Sequence, residues 1–404
     1  MFAAVFAAAF MAIDHRLNAP YTWRSGLANF ATIKQQMLHG TPQRRIAFVL
    51  LFIVSFLLLW PPPLRSEARL MPIVGVTAAW LGWEASSILW STNMFLSLQC
   101  LVSWIITAGV GFVTGAEVGA DQCVIIIALV CSAFLIAGIG NELLNSRRNR
   151  QADYRFAGTL HPNHQALSCA MLAFSFCWLG SAGRMSVEIA TVCTAAGIVG
   201  LGLTRSRTAF WAAETATVTW IAITPPGSSR IWPVGLAVGI FVTGFAVNRL
   251  ISKASTEGGR SRLVSTLVLL GRNRHANTLN RRTLLWKQVI PDTARNWILG
   301  HGFGAFWDVR RLESIRAKTG MIVCSCHSTP VEIFVRSGVI GAALFAATSL
   351  VAIVAALGLH AAAGTFLVSI FVFMFADGIL ESFLAVPSFN SCFLFLLLGA
   401  LAAG

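Results

Sequence analysis

Long apolar runs, repeated along the chain and broken by short polar turns, leave this sequence little choice of fold. A membrane-spanning helix needs roughly 20 mostly apolar residues. Runs near that length cover 70–90, 94–113, 123–144, 187–203, 231–250, 330–357 and 361–379. Shorter ones cover 46–60 (stopped by Pro61, Pro62 and Pro63), 166–179, 208–223 and 392–403. With the apolar stretch 1–13 the total is about twelve. Of the 404 residues 56% are hydrophobic and only 11% charged, against roughly 25% charged in a soluble domain. One buried core cannot absorb that excess, so the solvent is lipid, and lipid satisfies no open backbone. Each span is therefore expected to be a helix. The fold class expected is an all-α polytopic membrane protein with about twelve spans. It divides into a helical block 1–250, a polar loop 251–329 carrying short amphipathic helices, and a helical block 330–404.

Thirty Lys and Arg against 16 acidic residues give a formal charge of +14. That balance implies an anionic partner or an anionic membrane surface. Nucleic acid is excluded as a partner, because many of the cations sit in short turns between spans. The nine cysteines form no disulfide pattern and mostly lie in apolar runs, where Cys packs as a small hydrophobe. Cys324 and Cys326 lack further ligands for a metal apart from His327. The stretch 1–13 lacks the basic start of a cleavable signal and reads either as a short first span or as the remains of one.

Counting spans places the polar pieces. Residues 145–165, the turn 204–208 and the loop 251–329 are separated by two spans each, so all three belong on one side of the membrane. The loop alone carries 13 Lys and Arg against four acids. Short basic loops normally mark the cytoplasmic side, but long loops escape that rule. The alternative is that these cations face a polyanionic substrate, and topology does not choose between the two.

Four constellations on that side carry candidate chemistry. In His327-Ser-Thr-Pro-Val-Glu332, Thr329 is expected as a helix N-cap, Pro330 as the first helical residue and Glu332 as the third. His327 then sits at a helix N-terminus, whose positive end favours the neutral imidazole a general base needs. It fits a loop-stabilising histidine equally well. Arg205-Ser206-Arg207 precede another helix, where guanidinium and free N–H groups suit a phosphate. Arginines at such turns are also common as anchors. Arg155 precedes Gly158-Thr-Leu-His161-Pro162-Asn163-His164, a structural turn into a third helix. In the polar loop, Arg282-Thr-Leu284-Leu285-Trp286 and Ile290 read as an amphipathic helix lying on the membrane. Gly300-His301-Gly302-Phe303-Gly304 reads as a tight turn more readily than as a phosphate cradle. Phe306 and Trp307 suit either the membrane interface or a sugar ring.

Taken in order, ILWS, RFAGTLHPNH, TRSRTA, LNRRTLLW, LGHGFGAFW and HSTPVEIFVRSGVIG resemble the O-antigen ligase and polysaccharide polymerase superfamily over about residues 88–341. The last motif aligns His327, Glu332, Gly338 and Gly341 with the family's pattern. Ser328 stands where an Asn is common, and Pro330 where an aromatic is frequent. The resemblance implies a bacterial inner-membrane protein whose motif face is periplasmic. It also implies a polyprenyl-pyrophosphate-linked oligosaccharide donor, a glycolipid acceptor, and no cofactor, metal or nucleotide sugar. In that reading His327 is the catalytic base of an inverting glycosyl transfer. Arg155, Arg205, Arg207 and Arg282 bind the pyrophosphate, and Glu332, His301 and Trp307 stand near the site. GRNRHANTLNRRTLLW is closer to the exopolysaccharide polymerase branch than to ligases acting on lipid A core. A transporter or flippase for lipid-linked sugars is the alternative outside the enzyme class, but the spans offer few of the mid-membrane charges it would want.

Overall fold

The computed structural model describes residues 1–15, 42–59, 71–144, 155–227, 230–252, 278–359 and 361–403. Regular structure among them is helical throughout. In chain order the helices are α1 (Phe2–Asp14), α2 (Pro42–Leu59), α3 (Met71–Ser86), α4 (Met94–Leu144), α5 (Pro162–Ser181), α6 (Val187–Thr204), α7 (Arg207–Ile223) and α8 (Ile231–Ser252). They continue with α9 (Thr278–Ala294), α10 (Val309–Thr319), α11 (Thr329–Leu357), α12 (Ala361–Leu380) and α13 (Phe389–Ala403). Short 3₁₀ turns at Ser87–Trp90 and Phe383–Ala385 precede α4 and α13. Four of these helices contain a stretch long and apolar enough to cross a membrane: Met94–Leu144, Val187–Thr204, Thr329–Leu357 and Ala363–Leu380. Phe2–Asp14, Ile231–Val247 and Phe389–Ala403 are apolar but shorter. The protein is an all-helical membrane protein. The expected runs 94–113 and 123–144 belong to one element, broken only where Gly119 takes φ 75°.

The helices gather into two compact units made of interleaved stretches. The first contains Met1–Trp23, Val124–Asn277 and His360–Asp377; the second contains Arg24–Cys123, Thr278–Leu359 and Gly378–Gly404. In the first, α5 is almost wholly buried. It packs against α6, α7 and α8, and Gly197 of α6 lies so close that a Cβ would meet the backbone at Cys169 and Ala173.

In the second unit α13 is buried along nearly its whole length. Gly111, Gly115 and Gly399 let it approach the first part of α4 backbone to backbone, while Trp80 and Trp104 close on Phe395 at 5.7 and 5.4 Å between ring centroids. The opposite face of α4 shows Phe95, Leu98, Val102 and Ile105 outward, the stripe a bilayer would cover.

The polar segment builds its own small core. Leu285 and Val289 of α9 are buried together with Phe306, Trp307, Leu312 and Ile315 in and just before α10, with Met321 and Cys326, and with Val335 of α11. This revises the amphipathic helix expected at Arg282–Ile290. Leu285 is buried, and Trp286 is half-buried with its indole N–H donated to the Cys326 carbonyl at 2.8 Å. Only Leu284 and Ile290 of the expected anchors are exposed, and they are joined by Trp297, Ile298 and Leu299. An apolar core was available inside the segment, so half of the apolar stripe turned inward.

Candidate functional site

Helix α11 starts one residue earlier than the motif suggests. Ser328 is its N-cap, with no side-chain capping bond, and Pro330 follows in the first turn. The Glu332 carboxylate does not close the expected capping box. One of its oxygens accepts the Cys326 N–H at 2.6 Å and the other accepts the Trp307 indole N–H at 2.7 Å. Thr329 is likewise occupied, its N–H and hydroxyl both donating to the Glu381 carbonyl at 3.0 and 2.8 Å. Ser328 N–H donates to Ser382 Oγ at 2.9 Å.

These bonds surround a strained residue. His327 has φ 49°, and only Arg205 shares that left-handed region among the described non-glycine residues. Such a conformation costs a non-glycine residue on the order of 1–3 kcal/mol and persists only where neighbours over-determine it. Here the Cys326 peptide is held on its N–H by Glu332 and on its carbonyl by Trp286, and the next two residues are tied to Glu381 and Ser382. The result aims a half-exposed imidazole outward, 42% accessible. Its Nδ1 lies 4.0 Å from Oε2 of Glu381.

Glu381 is 2% exposed and sits just past the end of α12. Its other oxygen accepts from Arg282 of α9 at 2.6 Å. Arg282, Glu381 and His327 therefore form a chain of cation, buried carboxylate and imidazole. Sequence reading missed Glu381. Its one signal is an acid that follows Asp377 at the tail of a long apolar run, and its partner Arg282 is 99 residues earlier.

The remaining expected residues are distributed as follows. His301 is 3% exposed, with Nδ1 within 3.2 Å of Arg311 and its ring against Phe306. Burial, and then the Arg311 charge, pull its pKa from the usual 6.5 down to about 4. Trp307 is 4% exposed and is engaged by Glu332. Burial, reinforced by Glu332, pushes the Cys326 thiol well above its ordinary range, which suits a packing residue. The GHGFG turn is tightly packed rather than open: a Cβ on Gly302 (φ 94°) would meet Ser91 at 2.6 Å.

Arg155, Arg205 and Arg207 belong to the first unit. There Arg155 donates to the Thr204 carbonyl and to Asn163 Oδ1, both at 2.7 Å, and Phe156 N–H donates to the Leu203 carbonyl. The end of the 145–165 segment and the 204–208 turn thus meet. Arg205, left-handed and 3% exposed, caps α6, and His161 caps α5 by accepting the Asn163 N–H. Basic residues at 145–154 and 253–277 lie outside the described residues.

A second buried ion pair stands behind α11. Arg336 donates to Oε1 of Glu84 at 2.9 and 3.1 Å, and the same oxygen accepts from Trp80 and Ser337. The Arg336 guanidinium also reaches the Ala385 carbonyl and lies over the Phe303 and Trp104 rings. This network ties α3, α11 and the loops on either side of the His327 turn into one rigid support.

Residues 192–346 match the family model described as O-antigen ligase. That stretch runs from α6 through the polar segment into α11 and includes Arg205, Arg207, Arg282 and His327. The match covers less than half of the chain, and over that stretch the chain is similar to the O-antigen ligase family. Neither the curated proteins nor the solved structures gave a match. The O-antigen ligase family acts on lipid-linked glycans in a membrane, and within the matched stretch His327 is a strained, half-exposed histidine at a helix start.

Proposed function

We propose that the chain is an inverting membrane glycosyltransferase moving a glycan from a polyprenyl-pyrophosphate carrier to an acceptor hydroxyl. The observation that carries this reading is His327, left-handed and half-exposed, with the buried Glu381 carboxylate behind its Nδ1. Nε2 takes the proton of the acceptor hydroxyl as its oxygen bonds to the anomeric carbon. The bond from that carbon to the pyrophosphate breaks on the opposite face, and the electron pair leaves with the phosphate oxygen. Glu381 faces the imidazolium that forms. Arg282 lies on the same carboxylate and supplies a cation near the departing charge. Arg155, Arg205 and Arg207 are proposed as further anion holders on the sequence resemblance alone. The face is taken as periplasmic and the membrane as the bacterial inner membrane. The product is taken as polysaccharide chain growth rather than ligation to lipid A core, on the likeness of residues 271–286 to the polymerase branch.

Exchange of His327→Ala should abolish glycan transfer by purified protein supplied with lipid-linked oligosaccharide, with expression and membrane insertion intact. Turnover by that variant at the rate of the native chain would overturn the assignment.

A further inference from the structure

A cleft of about 340 Å³ opens in the second unit where α4 begins, between its first turns and the Trp307–Arg310 segment. Its volume lies at the lower end of the range for small-molecule sites, roughly 300–1,000 Å³. Phe95 and Gln99 line it from α4, and Trp307, Asp308 and Arg310 line it from the other segment. Asp308 caps α10 through the Arg311 N–H at 2.9 Å. Among the described residues no hydrogen bond engages the Gln99 amide or the Arg310 guanidinium. Gln99 is half-buried on the first turns of α4 and Arg310 is exposed, so both can meet a polar ligand that enters the cleft.

The charge balance selects the ligand. The Asp308 carboxylate is already paired with the Arg311 guanidinium at 3.4 Å, so the cleft keeps one net cation, Arg310, too little to match the two or more charges of a pyrophosphate. An amide, a carboxylate and a guanidinium beside aromatic walls suit vicinal hydroxyls, which donate and accept at once. The opening is also placed for a lipid-borne head group. Phe95 continues into the outward apolar stripe of Leu98 and Val102, so a sugar attached to a membrane lipid can enter from the side. The cleft wall is wired to the candidate base: Trp307 donates to Glu332, which holds the Cys326 N–H next to His327.

We propose that this cleft is a saccharide subsite for the lipid-linked glycan, holding sugar hydroxyls rather than phosphate. The assignment of that glycan rests on the transfer reaction proposed above. The test uses the full chain in lipid nanodiscs and lipid-linked oligosaccharide extracted from host membranes. Gln99→Leu and Arg310→Ala should each raise the KM for this substrate about tenfold, the equivalent of one lost hydrogen bond of about 1.4 kcal/mol, and leave kcat within about twofold. A lowered kcat at unchanged KM would mark a structural role and overturn the subsite. Binding is read separately by maleimide labelling of Val309→Cys in a Cys324→Ser background. The extract should protect the introduced thiol from labelling, and Gln99→Leu should remove the protection, whereas inorganic phosphate should give none. Labelling unaffected by the extract overturns the subsite even where transfer is seen. Protection without any turnover upholds the subsite and sinks the transfer reaction.

Discussion

At His327 the backbone holds a conformation that a non-glycine residue adopts only under constraint, and each constraint has a named donor and acceptor. The side chain gains its direction from that strain and its electrostatic support from Glu381. Replacement of Glu381 by Gln keeps the shape but removes the charge facing the imidazolium. It should lower kcat on the order of 10²-fold with little change in KM, as expected for the loss of support to a general base. Steady-state kinetics on the reconstituted variant measures this, and a native kcat would remove Glu381 from the mechanism. His301 behaves differently. Its pKa falls from 6.5 to about 4 on folding, so between those values the unfolded chain binds the extra proton. Stability is therefore full above about pH 6.5 and is lost as pH falls toward 4, by up to roughly 3 kcal/mol. Thermal unfolding in detergent between pH 7 and pH 5 should show a falling midpoint, and His301→Gln should flatten the difference. The histidine motif was legible in the sequence because His327, Pro330 and Glu332 fall together at one helix start. Glu381 was not, because a contact between two residues far apart in the chain leaves no local pattern.

Among the elements, α11 is the one on which the site depends. It is broken at Gly338, φ 67° and ψ −166°, and the segment 297–302 runs along the break. Val339 N–H donates to the Trp297 carbonyl at 2.8 Å, while His301 and Gly302 N–H groups donate to the Val335 and Arg336 carbonyls at 3.0 and 2.8 Å. A Cβ on Gly338 would overlap the Ile298 carbonyl, and the backbone conformation is itself closed to most L-residues. Gly338→Ala should therefore destabilise the protein by more than about 1 kcal/mol and lower transfer, since the turn bearing His327 is supported from this side. The comparison of apparent melting temperature and turnover with Gly75→Ala, where a Cβ meets nothing within 4 Å, separates this effect from a generic glycine loss. The apolar pattern did locate α11, α12 and the two halves of α4 by run length. It misread the facing of α9, because an amphipathic stripe has the same period whether lipid or a local core receives it.

At the scale of the whole molecule, two units are built from alternating stretches of chain, and the stretch that matches the family model draws on both. The proposed reaction needs no energy source beyond the donor's pyrophosphate bond. Purified protein in nanodiscs, with no gradient, should convert lipid-linked oligosaccharide alone into longer lipid-linked chains. It should leave lipid A core unmodified when that is offered as acceptor. Glycosylated core without chain growth would reverse the choice between polymerase and ligase. The sequence by itself determined the solvent, the helical class and the candidate base. These follow from composition and from patterns only a few residues long. The tertiary structure alone decided what His327 leans on. The carboxylate behind it, the arginine behind that carboxylate and the broken helix that supports the turn come from segments remote in sequence. They meet only because burying a charged group demands a partner, and the fold, not the local pattern, chooses which one.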